Sequence, residues 1–144
     1  KADLGRHQVT VSLIPHTGTF QEAGVIAEGY RLNLPLRVVA PVTGSGPAAD
    51  AGAVPAPPVA VDRPSVVVEA VKLAEDGSGD VVVRLYESMR TATACTLATA
   101  LPVAEAAESD MLESPRQPLA CDGGRIALSF RPFEIKTLRL RLRD

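Results

Sequence analysis

Aromatic side chains make up only 3% of this chain and tryptophan is absent. Phe20, Phe130, Phe133, Tyr30 and Tyr86 are the whole set, too few to build the aromatic platform on which an independent sugar-binding module relies. Histidine is equally scarce. His7 and His16 occur without H-x-H or H-E-x-x-H spacing, so the residues of this chain do not spell a zinc site. Two cysteines, Cys95 and Cys121, are too few for a disulfide framework and have no short-range partner for a metal knuckle. They read as reduced and structural, which favours a cytoplasmic location. Positive charge is not in excess either: 15 Lys and Arg against 17 Asp and Glu give a formal net charge of −2, which leaves no field for phosphate backbones or anionic lipid. No apolar run approaches the ~20 residues needed to cross a bilayer. No charged-then-apolar signal segment opens the chain, and a start at Lys1 without Met is expected of a fragment.

What is present is aliphatic and alternating. With 46% hydrophobic and 22% charged residues over 144 positions, the composition is that of a globular protein, and the length suits one domain covering 1–144. Gln8 to Pro15, QVTVSLIP, places Val9, Val11 and Leu13 on one face and predicts a strand. Thr19-Phe20-Gln21-Glu22 has the spacing of a capping box ahead of Val25, Ile26 and Tyr30, predicting a short helix limited by Gly24 and Gly29. Leu32, Leu34, Leu36 and Val38 alternate again, a second strand with Pro35 at an edge or bulge. From about 41 to 64 the composition shifts to Pro and Ala with six of the twelve prolines, which predicts a long flexible loop.

Beyond it, Val66 to Leu73 and Val81 to Tyr86 flank Glu75-Asp76-Gly77-Ser78-Gly79-Asp80 as a hairpin. Strands are expected from Thr93 to Leu101, from Val103 to Glu108 and from Ile126 to Phe130, with Met111 to Leu119 as a loop. The last strand begins near Phe133 and sets Leu138, Leu140 and Leu142 against Arg139, Arg141 and Arg143 on its other face. Eight or nine short strands with turns between them predict an all-β fold, an antiparallel β-sandwich with one short helix or helical turn and the long Pro/Ala-rich loop.

Few residues point to chemistry. Gly44-Ser45-Gly46 lies in the Pro/Ala loop rather than in a strand-to-helix elbow, so no nucleophilic serine is indicated. Glu69, Glu75, Asp76, Asp80, Glu87, Glu105, Glu108, Asp110 and Glu113 offer carboxylates without singling out the close pair that glycoside hydrolysis requires. Asp76 to Asp80 lacks the third acidic position and terminal Glu of a calcium loop, and a hairpin turn explains it better. His16 sits just past a strand, where functional residues are often displayed, but hydrogen bonding within its loop accounts for it as well. Arg84, Tyr86 and Glu87 gather polar groups at a strand end, suited either to a ligand or to a cross-strand ion pair.

Several segments in order, Pro15-His16-Thr17-Gly18, Leu32-Asn33-Leu34-Pro35-Leu36, Val71-Lys72-Leu73-Ala74-Glu75-Asp76-Gly77, Arg84-Leu85-Tyr86-Glu87 and Pro132-Phe133-Glu134-Ile135-Lys136-Thr137-Leu138, resemble the C-terminal β domain of family 38 glycoside hydrolases, the α-mannosidases. The likeness covers the chain apart from the Pro/Ala loop, and His16 to Ile26, HTGTFQEAGVI, is most similar to the cytosolic and bacterial branch. The resemblance implies that the PFEIKTL strand ends a larger enzyme that removes α-linked mannose with a carboxylate nucleophile and a zinc ion, both held by an N-terminal catalytic domain. Neither zinc ligands nor nucleophile map onto this sequence, so the implied role is noncatalytic. The implied partners are that catalytic domain and, through it, mannosides. His16 and Phe20 in one loop, with Arg84, Tyr86 and Glu87 at a strand end, are the candidates for an interdomain or cleft-facing surface. A domain made to be covered is expected to expose an apolar patch and to self-associate when isolated. The alternatives are an independent carbohydrate-binding module and an immunoglobulin-like spacer.

Overall fold

Alternation along the last strand shows how the principal unit is built: Leu138 and Leu140 are fully buried while Arg139 and Arg141 project from the opposite face. A computed structural model describes residues 4–34 and 57–143, and the chain divides into two compact units, Lys1–Pro47 and Ala48–Asp144. The described part of the second unit contains β1 (Val59–Val61), β2 (Val66–Leu73), β3 (Val81–Glu87), β4 (Thr93–Thr99), β5 (Val103–Ser109), β6 (Pro115–Leu119), β7 (Arg125–Phe130) and β8 (Ile135–Leu142). They form a three-stranded sheet in the order β1-β4-β7 and a five-stranded sheet in the order β2-β3-β8-β5-β6, antiparallel throughout.

The inner faces meet in one core. Cys95, Leu97, Ile126, Leu128 and Phe130 come from the smaller sheet, and Val81, Val83, Leu85, Val103, Ala106, Leu138 and Leu140 from the larger. Period-2 patterning with β-branched and leucyl side chains on one face is what drives two such sheets together. The antiparallel sandwich and the Val66-to-Tyr86 hairpin are thus as the sequence predicts. The β4–β7 pair is fed by a two-residue turn at Gly123 and Gly124, whose φ of 53° and 75° require left-handed backbone. Gly124 also lies where a Cβ would come 2.4 Å from the Thr99 carbonyl oxygen, so the turn needs glycine for space as well as for φ.

Four expectations are corrected. Met111 to Leu119 is not all loop, because Pro115–Leu119 pairs with β5 as the edge strand β6, where two prolines lacking N–H are tolerated. Val59–Val61, inside the expected Pro/Ala loop, pairs with β4, and Asp62 and Pro58 accept hydrogen bonds from Thr96 N and Thr99 Oγ1 at 2.8 and 2.7 Å. Residues 41–56 of that loop lie outside the described residues. In the first unit, helix α1 (Val25–Asn33) runs through Leu32 and Asn33, displacing the start of the predicted second strand. The Asn33 side chain donates to Gly29 O at 2.8 Å and Leu34 N to Tyr30 O at 2.8 Å, which closes the last turn. The remainder of that predicted strand, 35–38, lies outside the described residues. Gln8 to Pro15 forms no strand among the described residues: Val9, Val11 and Leu13 are 81, 88 and 90% exposed. A strand pattern without a neighbouring backbone to pair with has no ladder to hold it.

The predicted capping box is present in geometry. Thr19 N and Thr19 Oγ1 both donate to the Glu22 carboxylate at 2.8 and 3.0 Å, and Glu22 N donates back to Thr19 Oγ1 at 3.3 Å. It caps a turn that precedes α1, while Gly24 with φ 66° begins the helix itself. These bonds hold the Glu22 carboxyl below the usual carboxylate range.

Candidate functional site

The outer face of the five-stranded sheet carries a polar network centred on Arg139 of β8. Its Nε donates to Asp80 at 2.7 Å, Nη2 to Asp76 at 2.6 Å and to Ser78 Oγ at 2.9 Å, and Nη1 to the Glu113 carbonyl at 3.2 Å. One guanidinium thereby ties the β2–β3 turn to the loop between β5 and β6. Lys72 reinforces it with an ion pair of 2.7 Å to Glu113, whose carboxylate also accepts from Glu75 N at 2.9 Å. Ser78 and Arg139 together pull the Asp76 carboxyl down to about 2, and Lys72 with the Glu75 amide holds Glu113 below its ordinary value. Beneath the network Val82, in register with Lys72 and Arg139, is buried although it lies on the outer side. An open cleft of about 470 Å³ beside β5 and β6 is lined by Asp80, Glu105, Arg116, Arg139 and Arg141, with Pro118 among its apolar walls. Arg116 is paired with Asp110 at 2.9 Å and Arg141 with Glu105 at 3.0 Å.

The sequence-predicted residues distribute over different places. Arg84 and Tyr86 do lie together on this outer face. Arg84 donates from Nε to Thr137 Oγ1 at 3.3 Å and from Nη2 to Met111 O at 3.2 Å. Tyr86 stands opposite Ile135 in register. Around them Ile135, Met111 and Leu112 are 55, 55 and 88% exposed, making an apolar patch edged by Arg84.

Glu87 does not join them. The alternation that points Arg84 and Tyr86 outward turns Val81, Val83, Leu85 and Glu87 inward, and the Glu87 side chain is fully buried. Its carboxylate accepts from Met89 N at 2.8 Å, Thr91 N at 3.2 Å and Phe133 N at 3.0 Å. Three backbone donors around one acidic group constitute an internal clasp, so Glu87 is corrected from a surface candidate to a residue that shapes two loops. Arg90 and Phe133 in those loops have φ of 58° and 59°, and Phe133 remains exposed. His16 and Phe20 belong to the first unit, where His16 Nδ1 lies 3.3 Å from Thr17 O and Phe20 is about half exposed.

The candidate carboxylates are mostly committed to structure: Asp76 and Asp80 to Arg139, Glu113 to Lys72, Glu108 to Lys136 at 2.9 Å, Glu87 to amides. Arg139 fills the space between Asp76 and Asp80 that a calcium ion would need. Among the described residues no three His, Cys, Asp or Glu side chains converge as metal ligands. Cys95 is buried, which pushes its thiol up and away from reactivity. Among the described residues no helix is long and apolar enough to cross a membrane.

Residues 65–138 match the model of the glycosyl hydrolases family 38 C-terminal beta sandwich domain. The chain belongs to this family. The matched span runs from the residue before β2 to the middle of β8, and so contains the Arg139 neighbours Asp76, Asp80 and Glu113 as well as the Glu87 clasp. Relatives extend the likeness over the rest: the chain is 41% identical to "Alpha-mannosidase 2C1" of Mus musculus over 99% of its length and 41% identical to that of Homo sapiens over 98%. It is 31% identical to "Alpha-mannosidase G" of Dictyostelium discoideum over 95%. The chain spans only 14, 13 and 12% of those relatives.

Proposed function

We propose that this chain is the noncatalytic C-terminal part of a cytoplasmic α-mannosidase that hydrolyses terminal α-linked mannose, and that its sandwich supports a zinc-dependent catalytic domain carried elsewhere in the same polypeptide. The observation that carries this reading is the engagement of the sandwich's carboxylates by Arg139, Lys72, Lys136 and backbone amides. Retaining or inverting hydrolysis needs two carboxyl groups free to face one sugar, whereas these hold turns and strands in place. The patch of Ile135, Met111 and Leu112 beside Arg84 and Tyr86 is the surface we assign to the catalytic portion, with His16 and Phe20 of the first unit as further interdomain candidates. Exposed apolar residues edged by a cation suit such a seat, and they would drive self-association of the isolated chain.

The test compares release of 4-nitrophenol from 4-nitrophenyl α-mannoside by the full-length polypeptide and by the 144-residue chain. Turnover by the first alone, lost on chelation and restored by zinc, is the expected result. Turnover by the short chain would overturn the noncatalytic role. Ile135→Asp in the full-length polypeptide is expected to lower its thermal stability while leaving the fold of the short chain intact.

A further inference from the structure

We infer that residues 8–15 are a strand supplied to a sheet outside the sandwich, pairing with a strand edge in the portion of the same polypeptide that lies beyond this chain. The inference rests on the proposed reading of the chain as part of a longer α-mannosidase. QVTVSLIP has the strict alternation of a half-buried antiparallel strand, polar Gln8, Thr10 and Ser12 on one side and Val9, Val11 and Leu13 on the other. A segment so patterned hides its apolar side in a folded protein, yet here Val9, Val11 and Leu13 are 81 to 90% exposed and pair with no strand among the described residues.

The described residues of the first unit supply no cover. Helix α1 has no buried residue, and no residue from 4 to 34 is buried, so the described part of this unit holds no core. The sandwich family's own match begins only at residue 65. The mannosidase relatives nevertheless align along 95 to 99% of the chain, while the chain accounts for 12 to 14% of them. The segment is therefore part of the sequence these longer polypeptides share, and it lies outside the residues that the family model matches. A sheet edge in the remaining polypeptide gives it both a backbone ladder and an apolar cover. A second copy of the segment gives only another uncovered strand.

Hydrogen exchange measured by mass spectrometry on peptides spanning 8–14 tests this in the full-length polypeptide and in the 144-residue chain side by side. The expected result is exchange slowed by about a hundredfold or more in the full-length protein and near the unstructured rate in the short chain. Fast exchange in the full-length protein overturns the inference. Equal protection in the short chain overturns it too, since the pairing is then internal or between copies. Val11→Asp adds a second readout: it is expected to lower the full-length melting temperature and leave the unfolding midpoint of the short chain unmoved, and an unmoved full-length melt refutes the strand. Mannoside hydrolysis by the same full-length preparation judges the underlying reading separately. Hydrolysis with fast exchange removes the strand and keeps the enzyme.

Discussion

Replacing Glu87 should cost more stability than any ion pair on the outer face. In the wild type its buried carboxylate takes hydrogen bonds from Met89 N, Thr91 N and Phe133 N. A hydrogen bond to a charged group contributes about 1.5–3 kcal/mol, and a buried donor left unpaired costs about 1–3 kcal/mol. Thr91 and Phe133 are exposed residues, so water takes over part of the loss, and Glu87→Ala is expected to destabilise by about 3–5 kcal/mol. Glu87→Gln keeps one oxygen but turns an amide N–H₂ toward a backbone donor; with the Gln oxygen on the side of Thr91 and Phe133, only the Met89 bond is lost. That variant should lose about 2 kcal/mol, or about 8–16 °C in Tm for a domain of this size. Urea unfolding followed by far-ultraviolet circular dichroism measures both. Faster amide exchange at Met89 in the Gln variant would locate the effect. A loss under about 1 kcal/mol in Glu87→Ala would refute the clasp, because the three amides would then have other partners.

The Gly123-Gly124 turn separates two glycine requirements. Gly123→Ala, with nothing within 4 Å of its new Cβ, should cost only the left-handed penalty of about 1 kcal/mol. Gly124→Ala, clashing with the Thr99 carbonyl, should cost about 2–4 kcal/mol, and equal urea midpoints for the two variants would contradict the close approach. Acid stability follows from Asp76. Its carboxyl titrates near 3.8 in the unfolded chain and about 2 in the folded one, so the folded state binds this proton less readily and the contribution is complete above 3.8. It is lost as pH falls toward 2. The urea midpoint should drop over that window, and Asp76→Asn should make the drop shallower, with Glu113, Asp110, Glu134, Asp62 and Glu22 among the carboxyls that contribute to what remains.

How much of this was legible in the sequence depends on whether the deciding neighbour was local. The hairpin of β2 and β3, the strand β8 and the capping box were readable because alternation, turn residues and the Thr19–Glu22 spacing act within a few residues. The strand β6 was not, because Pro115 and Pro118 argue against pairing anywhere except at an edge, and edge position is a property of the whole sheet. The Gln8–Pro15 segment fails in the opposite sense: its pattern is that of a strand, and the backbone it needs is absent from the described chain.

The acidic residues show the same limit at the level of chemistry. Glu87 and Glu113 are both buried glutamates that differ in how far the sequence foretells it. Glu87 is read correctly once strand parity is followed from Val81 through Val83 and Leu85, since the next inward position must be buried at the sandwich end, where only backbone amides remain to meet its charge. Glu113 has no parity to follow, being in a loop with φ 69°, and its burial depends on Lys72, 41 positions earlier in the numbering. Arg139 shows why the outer face was underestimated: an arginine on the polar side of a terminal strand reads as solvated, until the β2–β3 turn is folded back to bring Asp80 to its Nε and Asp76 and Ser78 to its Nη2. The Asp76 and Asp80 carboxylates, whose spacing only faintly suggests a calcium loop, are thereby occupied by the protein's own cation. For that reason the outer face holds the fold, and the exposed residues beside it, Ile135, Met111 and Leu112, are left as the surface we propose for the contact with the catalytic portion.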